Sequence, residues 1–257
     1  GTMTFPLDIG YAYIPHPEKA IFGGEDAFVV SYRSLDSTYM VGVSDGVGSW
    51  LSKRGVSAGP FAADLMYHAE QVFNEDEDNP LTILQESFDR TDHIGAATAI
   101  IGVLKPTSWG YKVEMIYLGD SSFFVVTDGN MTHQPTEQEI EFNRPFCLGK
   151  MAGGVIYAQE PKDGERFVIN LEGEDMLVLG TDGLFDNLFD DEIMNIINSM
   201  GNATASDIAE TLVIAATEKG ESLEPTPCER TSREAGYEHK GGKTDDTAII
   251  VVKAASL

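Results

Sequence analysis

The spacing of hydrophobic positions changes several times along the chain. AFVVSYRS (27–34) and TYMVGVS (38–44) are short, rich in Val and Tyr, and separated by LDS, which predicts a hairpin. From 54 to 74 the period lengthens. Phe61, Leu65, Ala69 and Val72 or Phe73 recur every three to four residues, which predicts a helix with Pro60 in its first turn. PLTILQESFDRT (80–91) predicts a second helix, antiparallel to the first across the acidic turn NEDEDN. ATAIIGVL (97–104), YKVEMIYLG (111–119) and SFFVVTDG (122–129) read as an antiparallel meander, followed by strands at 166–170 and 175–181. Between them, 131–154 is irregular, with Pro135, Pro145 and paired glycines, and predicts a surface flap. Helical periods return at 190–200, 205–220 and around 227–235, and AIIVVKA (248–254) predicts a closing strand. Two groups of strands interrupted by helices, without strict alternation, predict an α+β fold of two antiparallel sheets with flanking helix pairs. With no internal repeat or linker, residues 1–257 are expected to form one domain.

Several of these strands begin or end at an acid beside glycine or another acid. They are Glu25-Asp26 in GGEDAFVV, Asp45 in VSDGVGS, Asp120 in YLGDSS, Asp182 in GTDGLF and Asp245-Asp246 in GKTDDTAI. A turn or a cap explains any one of them, and Asp128 in VTDGNM is read that way. The recurrence suggests more, because strand ends from distant parts of a chain are a rigid way to bring carboxylates together. Converging carboxylates repel unless cations lie between them. An oxygen-rich donor set without a Cys/His pattern points to Mg²⁺ or Mn²⁺ rather than Zn²⁺. Two such ions activate water and offset charge in phosphoryl transfer.

Charge sharpens this reading. Against 17 Lys and Arg stand 42 Asp and Glu, a formal charge of -25 with no basic cluster, which argues against nucleic acid or an anionic membrane as partner and favours divalent cations. No apolar run reaches the length of a membrane span. Cys147 and Cys228 lack metal or redox spacing, fit a reducing compartment and are read as structural; the five histidines show no paired ligand spacing. GGKT at 241–244 resembles the end of a phosphate-binding loop, but Tyr237 stands where its first glycine is required, so kinase or ATPase chemistry has no foothold. Gly1-Thr2-Met3 is compatible with an expression scar, and hence with a targeting extension outside this sequence.

In chain order, GGEDAFVV, VSDGVGSW, GAATAIIG, LGDSSFFVV, FNRPFCLG, LVLGTDGLFDN and GGKTDDTAIIVV resemble the motifs of the metal-dependent protein phosphatases of the PP2C (PPM) family, spanning residues 23–252. They most resemble its PTC7-like branch of mitochondrial and plastid phosphatases. The resemblance implies a four-layer α-β-β-α sandwich. It also implies hydrolysis of protein phosphoserine and phosphothreonine by water activated at a binuclear Mg²⁺ or Mn²⁺ centre, without a phosphoenzyme. By the same resemblance, Asp45 bridges the ions with the Gly46 carbonyl on the second, and Asp182 and Asp245 complete the first. Glu25 holds the second ion through water, and Asp120 with Asp182 marks a weaker third position. Asp246 is expected to play a hydrogen-bonding role at the start of the last strand.

The sequence departs from the family in three places. Val47 replaces a histidine that many relatives use to protonate the leaving oxygen, so no general acid carries over. AIFGG stands where animal enzymes place a phosphate-binding arginine, and Ser122 replaces the usual arginine after GDS, which suits the PTC7-like branch. Lys19 and Arg33 are the candidate substitute cations, and Arg144 in the flap is a candidate for steering a phosphopeptide. The rival readings are a small-molecule phosphomonoesterase and a noncatalytic phosphoprotein-binding module. The expected partners are phosphoprotein substrates, with the chain acting as a monomer in the cytoplasm or an organelle.

Overall fold

The computed structural model describes residues 7–254, so the opening Gly1-Thr2-Met3 lies outside the described residues. Its strands read as continuous apolar runs because both faces of each sheet are covered. The first sheet has the spatial order Glu165–Glu172, Gly110–Leu118, Ala99–Pro106, Thr38–Asp45, Asp26–Arg33, and every neighbouring pair is antiparallel. The second has the order Leu7–Ile14, Thr247–Ala254, Met176–Gly180, Ser122–Thr127, Asn130–Thr132, also antiparallel throughout.

Between the sheets, Val41, Val43, Ile100 and Val113 share one buried cluster with Phe123, Val125, Leu177 and Ile250. The alternate residues face outward onto helices. Met40, Ile101 and Val103 pack with Phe61, Leu65 and Phe88 of the helices Gly59–Asn74 and Pro80–Arg90. Phe124, Val178 and Val251 pack with Ile193 and Leu212 of the helices Asp190–Ser199 and Ala205–Gly220. The layers are therefore helix pair, sheet, sheet, helix pair, as expected. Phe61 near the start of one helix meets Phe88 near the end of the next, edge to face, so that pair is antiparallel. Local chemistry fixes the helix starts. Pro60 lies in the first turn of its helix, Asn79 accepts from the backbone N–H of Leu81 and Thr82, and Thr204 accepts from that of Asp207.

Three features differ from the sequence pattern. The strand Leu7–Ile14 gives no alternation signal, because only Gly10 in it is fully buried. The run 97–104 is split at Thr98: Gly95–Ala97 pairs with Leu148–Lys150, while Ala99–Pro106 joins the first sheet. The segment 131–154, irregular in sequence, carries short strands and one buried anchor. Asn130–Thr132 extends the second sheet, and buried Gln138 accepts from the Gly119 N–H at 2.9 Å while its own N–H donates to the Gly119 carbonyl at 3.1 Å. The short hairpin of Glu139–Glu141 and Arg144–Pro145 is largely exposed.

The first strand docks on a helix through Asp8, which accepts from the Ala205 N–H at 2.8 Å, and through Gly10, where a Cβ would collide with the Ser206 backbone. Gly10→Ala is expected to cost about 1–3 kcal/mol, read as a lower denaturant midpoint.

Candidate metal centre

The strand ends meet at one edge of the sandwich, and hydroxyl groups tie them together. Asp26 and Asp45 are register partners where Asp26–Arg33 begins and Thr38–Asp45 ends. The Asp45 N–H donates to Thr98 Oγ1 at 3.2 Å, its carbonyl accepts from the Thr98 N–H at 2.9 Å, and Thr98 Oγ1 lies 2.9 Å from Ser121 Oγ, beside Asp120. On the other sheet, Thr181 donates to Asp26 Oδ2 at 2.7 Å and accepts from the Ala248 N–H at 3.0 Å. Asp182 begins the short helix Asp182–Phe185, and Asp245 lies just before the closing strand. Gly46 is required sterically: a Cβ there would lie 2.6 Å from the Glu25 carbonyl, which accepts the Gly46 N–H.

Two carboxylate groups result. Asp45, Asp120 and Asp182 offer oxygens within 4.8 Å of one another, as do Asp182, Asp186 and Asp245. Among the described residues, Asp26 Oδ1 and Asp182 Oδ1 are buried with no hydrogen-bond partner. Such a convergence of acceptors lacking donors fits divalent cations held by oxygen. Glu25 is buried behind Gly46, where its Oε2 accepts from the Ala58 N–H at 2.8 Å and its Oε1 lies 2.6 Å from Lys19 Nζ.

The electrostatics follow from this crowding. Burial and the neighbouring Asp182 charge push Asp45, Asp120 and Asp245 well above the usual carboxylate range. Burial raises Asp26 to about 8 and, against the pull of Lys243, Asp186 to about 6. Asp182 is the exception: burial would raise it, but Lys243 and hydrogen bonding hold it at about 2.

A cleft of about 330 Å³ opens onto this centre, lined by Asp45, Gly46, Asp120, Asp182 and Asp245, with Lys19 among its walls. Arg33 is not there, which corrects its candidacy. It stands at the opposite end of its strand, roughly 23 Å along the backbone from Asp26, and is buried against Asp36, Asp78 and the Phe73 carbonyl. Arg144 lies on the short hairpin, exposed and paired with Glu141 at 3.1 Å. Asp246 makes the hydrogen bonds foreseen for it, accepting from the His16 N–H at 2.8 Å and Tyr13 OH at 3.3 Å. Asp128 has a left-handed φ of 50° in a tight turn, in keeping with its turn reading. Val47 packs against the buried cluster of Trp50, Ala96 and Cys147. Sequence reasoning missed Asp186, four residues after Asp182 and so on the same side of a helical turn, and Lys243, two residues before Asp245.

No family model matches the chain. The chain is 35% identical to the probable protein phosphatase 2C 80 of Arabidopsis thaliana over 252 residues, which is 94% of this chain and 57% of that protein. It is 31% identical to the human protein phosphatase PTC7 homolog, over 90% of this chain and 79% of that one. In structure it superimposes on the photosystem II phosphatase PBCP with a TM-score of 0.86 and 30% identity, covering 98% of this chain and 100% of the other. The chain belongs to the PP2C family of metal-dependent protein phosphatases. It spans about half the length of the first plant relatives it matches.

The raised carboxylates fix the sign of a pH effect. Unfolded aspartates titrate near ~3.9, so the metal-free native state holds more protons than the unfolded state up to the folded values of about 6 for Asp186 and about 8 for Asp26. Stability then falls as pH rises from about 4, the Asp186 contribution being complete near 6 and that of Asp26 near 8. Asp182 has the opposite sign, but its window lies near pH 2–4. Thermal unfolding of chelator-stripped protein should show Tm falling from pH 6 to 8, and the gain from Mn²⁺ should be larger at pH 8.

Proposed function

We propose that the chain hydrolyses phosphoserine and phosphothreonine in proteins at a binuclear Mg²⁺ or Mn²⁺ centre. The observation that carries this reading is the pair of carboxylate groups sharing Asp182 at the floor of one cleft, in a chain of the PP2C family. Asp45, Asp182 and Asp245 with the Gly46 carbonyl would hold two ions, Glu25 would support the second through water, and Asp120 would hold a weaker third. When bound, the ions supply an activated water and neutralise charge at phosphorus. Hydrolysis exchanges the ester P–O bond for a P–O bond to water, and the departing serine or threonine oxygen must take up a proton. Val47 cannot give that proton; His16, Lys19 and Lys243 are cleft residues that carry exchangeable protons.

The remaining assignments belong to the same reading. Lys19, at the cleft wall, is the candidate phosphate-binding cation in place of the absent arginine. Residues 1–257 act as one catalytic domain and as a monomer. The PTC7-like placement rests on Ser122 in place of the arginine after GDS, together with the likeness to the human PTC7 homolog. Likeness to a photosystem II phosphatase supports an organellar location over the cytoplasm. The 131–154 segment governs substrate choice. It borders a second cleft of about 510 Å³ that shares Asp120 and Asn143 with the first and is rimmed by Glu137, Glu139, Asp190 and Asp191. That rim favours basic residues beside the phosphorylated one.

Phosphate release from phosphothreonine peptides, with Mn²⁺ restored after chelation, is expected for the intact chain and should fall about 100-fold or more in Asp182→Asn. Absence of turnover in the folded, Mn²⁺-loaded chain would transfer the site to a binding role or to small phosphomonoesters, which the same assay with small substrates separates. Across a peptide panel, Lys or Arg flanking the phosphothreonine should raise kcat/KM by about tenfold over Asp or Glu at low ionic strength, with the gap closing in salt.

A further inference from the structure

Lys243 Nζ lies 3.3 Å from Asp182 Oδ2, 3.3 Å from Asp186 Oδ2 and 3.3 Å from Asp245 Oδ2. These are the three side chains that form one of the two groups with metal-ligating spacing. In the other group, neither Asp45 nor Asp120 has an ion-pair partner among the described residues. One cation position is thus taken by a group covalently attached to the chain.

We propose that Lys243 is a tethered cation holding the Asp182–Asp186–Asp245 position, so that a divalent ion enters there only by displacing the ammonium. This rests on reading the carboxylates as a divalent-cation centre. A single positive charge among three carboxylates leaves the position undercompensated, so a divalent ion at sufficient concentration has the electrostatic advantage. The ammonium therefore sets a threshold for loading without closing the site.

The surrounding bonds suit such an exchange. The backbone of Lys243 is clamped on both sides by one side chain, its N–H donating to Asn187 Oδ1 at 2.9 Å and its carbonyl accepting from Asn187 Nδ2 at 2.9 Å. Departure of the ammonium then needs only rotation of the side chain. That side chain is 35% exposed, whereas those of Asp182, Asp245 and Asp186 are 11%, 15% and 28% exposed, so the lysine has a route to water and at least Asp182 and Asp245 are held by their surroundings. A compact ammonium on a flexible stem leaves such a position more readily than a planar guanidinium locked by forked hydrogen bonds.

The test is Mn²⁺ binding by calorimetry on chelator-stripped wild type, Lys243→Met and Lys243→Arg. Lys243→Met, which keeps the length and removes the charge, should bind one ion at least about tenfold more tightly or take up one ion more. Lys243→Arg should keep the wild-type isotherm or bind more weakly. An unchanged or weakened isotherm in Lys243→Met overturns the proposal and makes the lysine a group that positions the ligands. Should Lys243→Met fold only with metal, chelator competition from the loaded side gives the same comparison: slower Mn²⁺ loss than wild type supports the proposal, and equal or faster loss overturns it. If wild type itself takes up no Mn²⁺, the reading of the carboxylates as a cation centre falls, an outcome distinct from failure of the lysine's role.

Discussion

Mutual repulsion among carboxylates is the constraint around which this fold is arranged. Two full negative charges within 4.8 Å of each other repel by at least roughly 3 kcal/mol at an effective dielectric near 20, and Asp182 belongs to two such groups. A loop-built site would relieve that repulsion by splaying open. Here the acids sit at strand ends whose register is fixed by pairing along both sheets, and the ends are bonded to one another through Thr98, Ser121 and Thr181. The charges must then be relieved chemically, by protons on Asp45, Asp120 and Asp245, by the ammonium of Lys243, or by metal. Core packing on both faces of each sheet supplies the rigidity that keeps the arrangement from relaxing.

This explains which parts of the molecule were legible in its sequence. The long strands and the helix pairs announce themselves because each buries a periodic face, and the acids at their ends stand out as interruptions of that pattern. Leu7–Ile14 escapes notice because it presents no alternating face and is defined by its partner, the closing strand. The split at Thr98 escapes because both halves of the run are buried and apolar, so no change in hydrophobicity marks the point where the chain passes from one sheet to another. Gln138 does not stand out in the 131–154 region because a single buried amide leaves no periodicity.

Charged residues were legible only where their position along a strand or helix was informative. Arg33 is a cation in need of partners, and the acidic turn between the helices Gly59–Asn74 and Pro80–Arg90 supplies Asp78 to it. Both pieces were visible, but their pairing across 45 positions is a property of the fold. Lys243 was seen within GGKT and judged against a phosphate-binding loop, whereas its adjacency to Asp245 was the informative feature. Asp186 follows Asp182 by one helical turn, a spacing that only becomes meaningful once the residues after the strand are known to coil.

The same electrostatics order the events of the proposed reaction. A phosphate ester approaches a protein of formal charge -25, and the cleft floor adds Asp45, Asp120, Asp182 and Asp245 directly in its path. Lys19 and Lys243 are the lysines on the cleft walls, and both are already engaged by carboxylates, at Glu25 and at the Asp182 group. In that state the cleft has no uncommitted lysine to offer a dianion. Divalent cations held by these carboxylates would reverse the sign of the local field, so in the proposed reaction metal would precede substrate. Val47 fits this order: it adds no charge to the cleft wall, so attraction for the phosphate would depend on cations held by the carboxylates and on the lysines that those cations would set free.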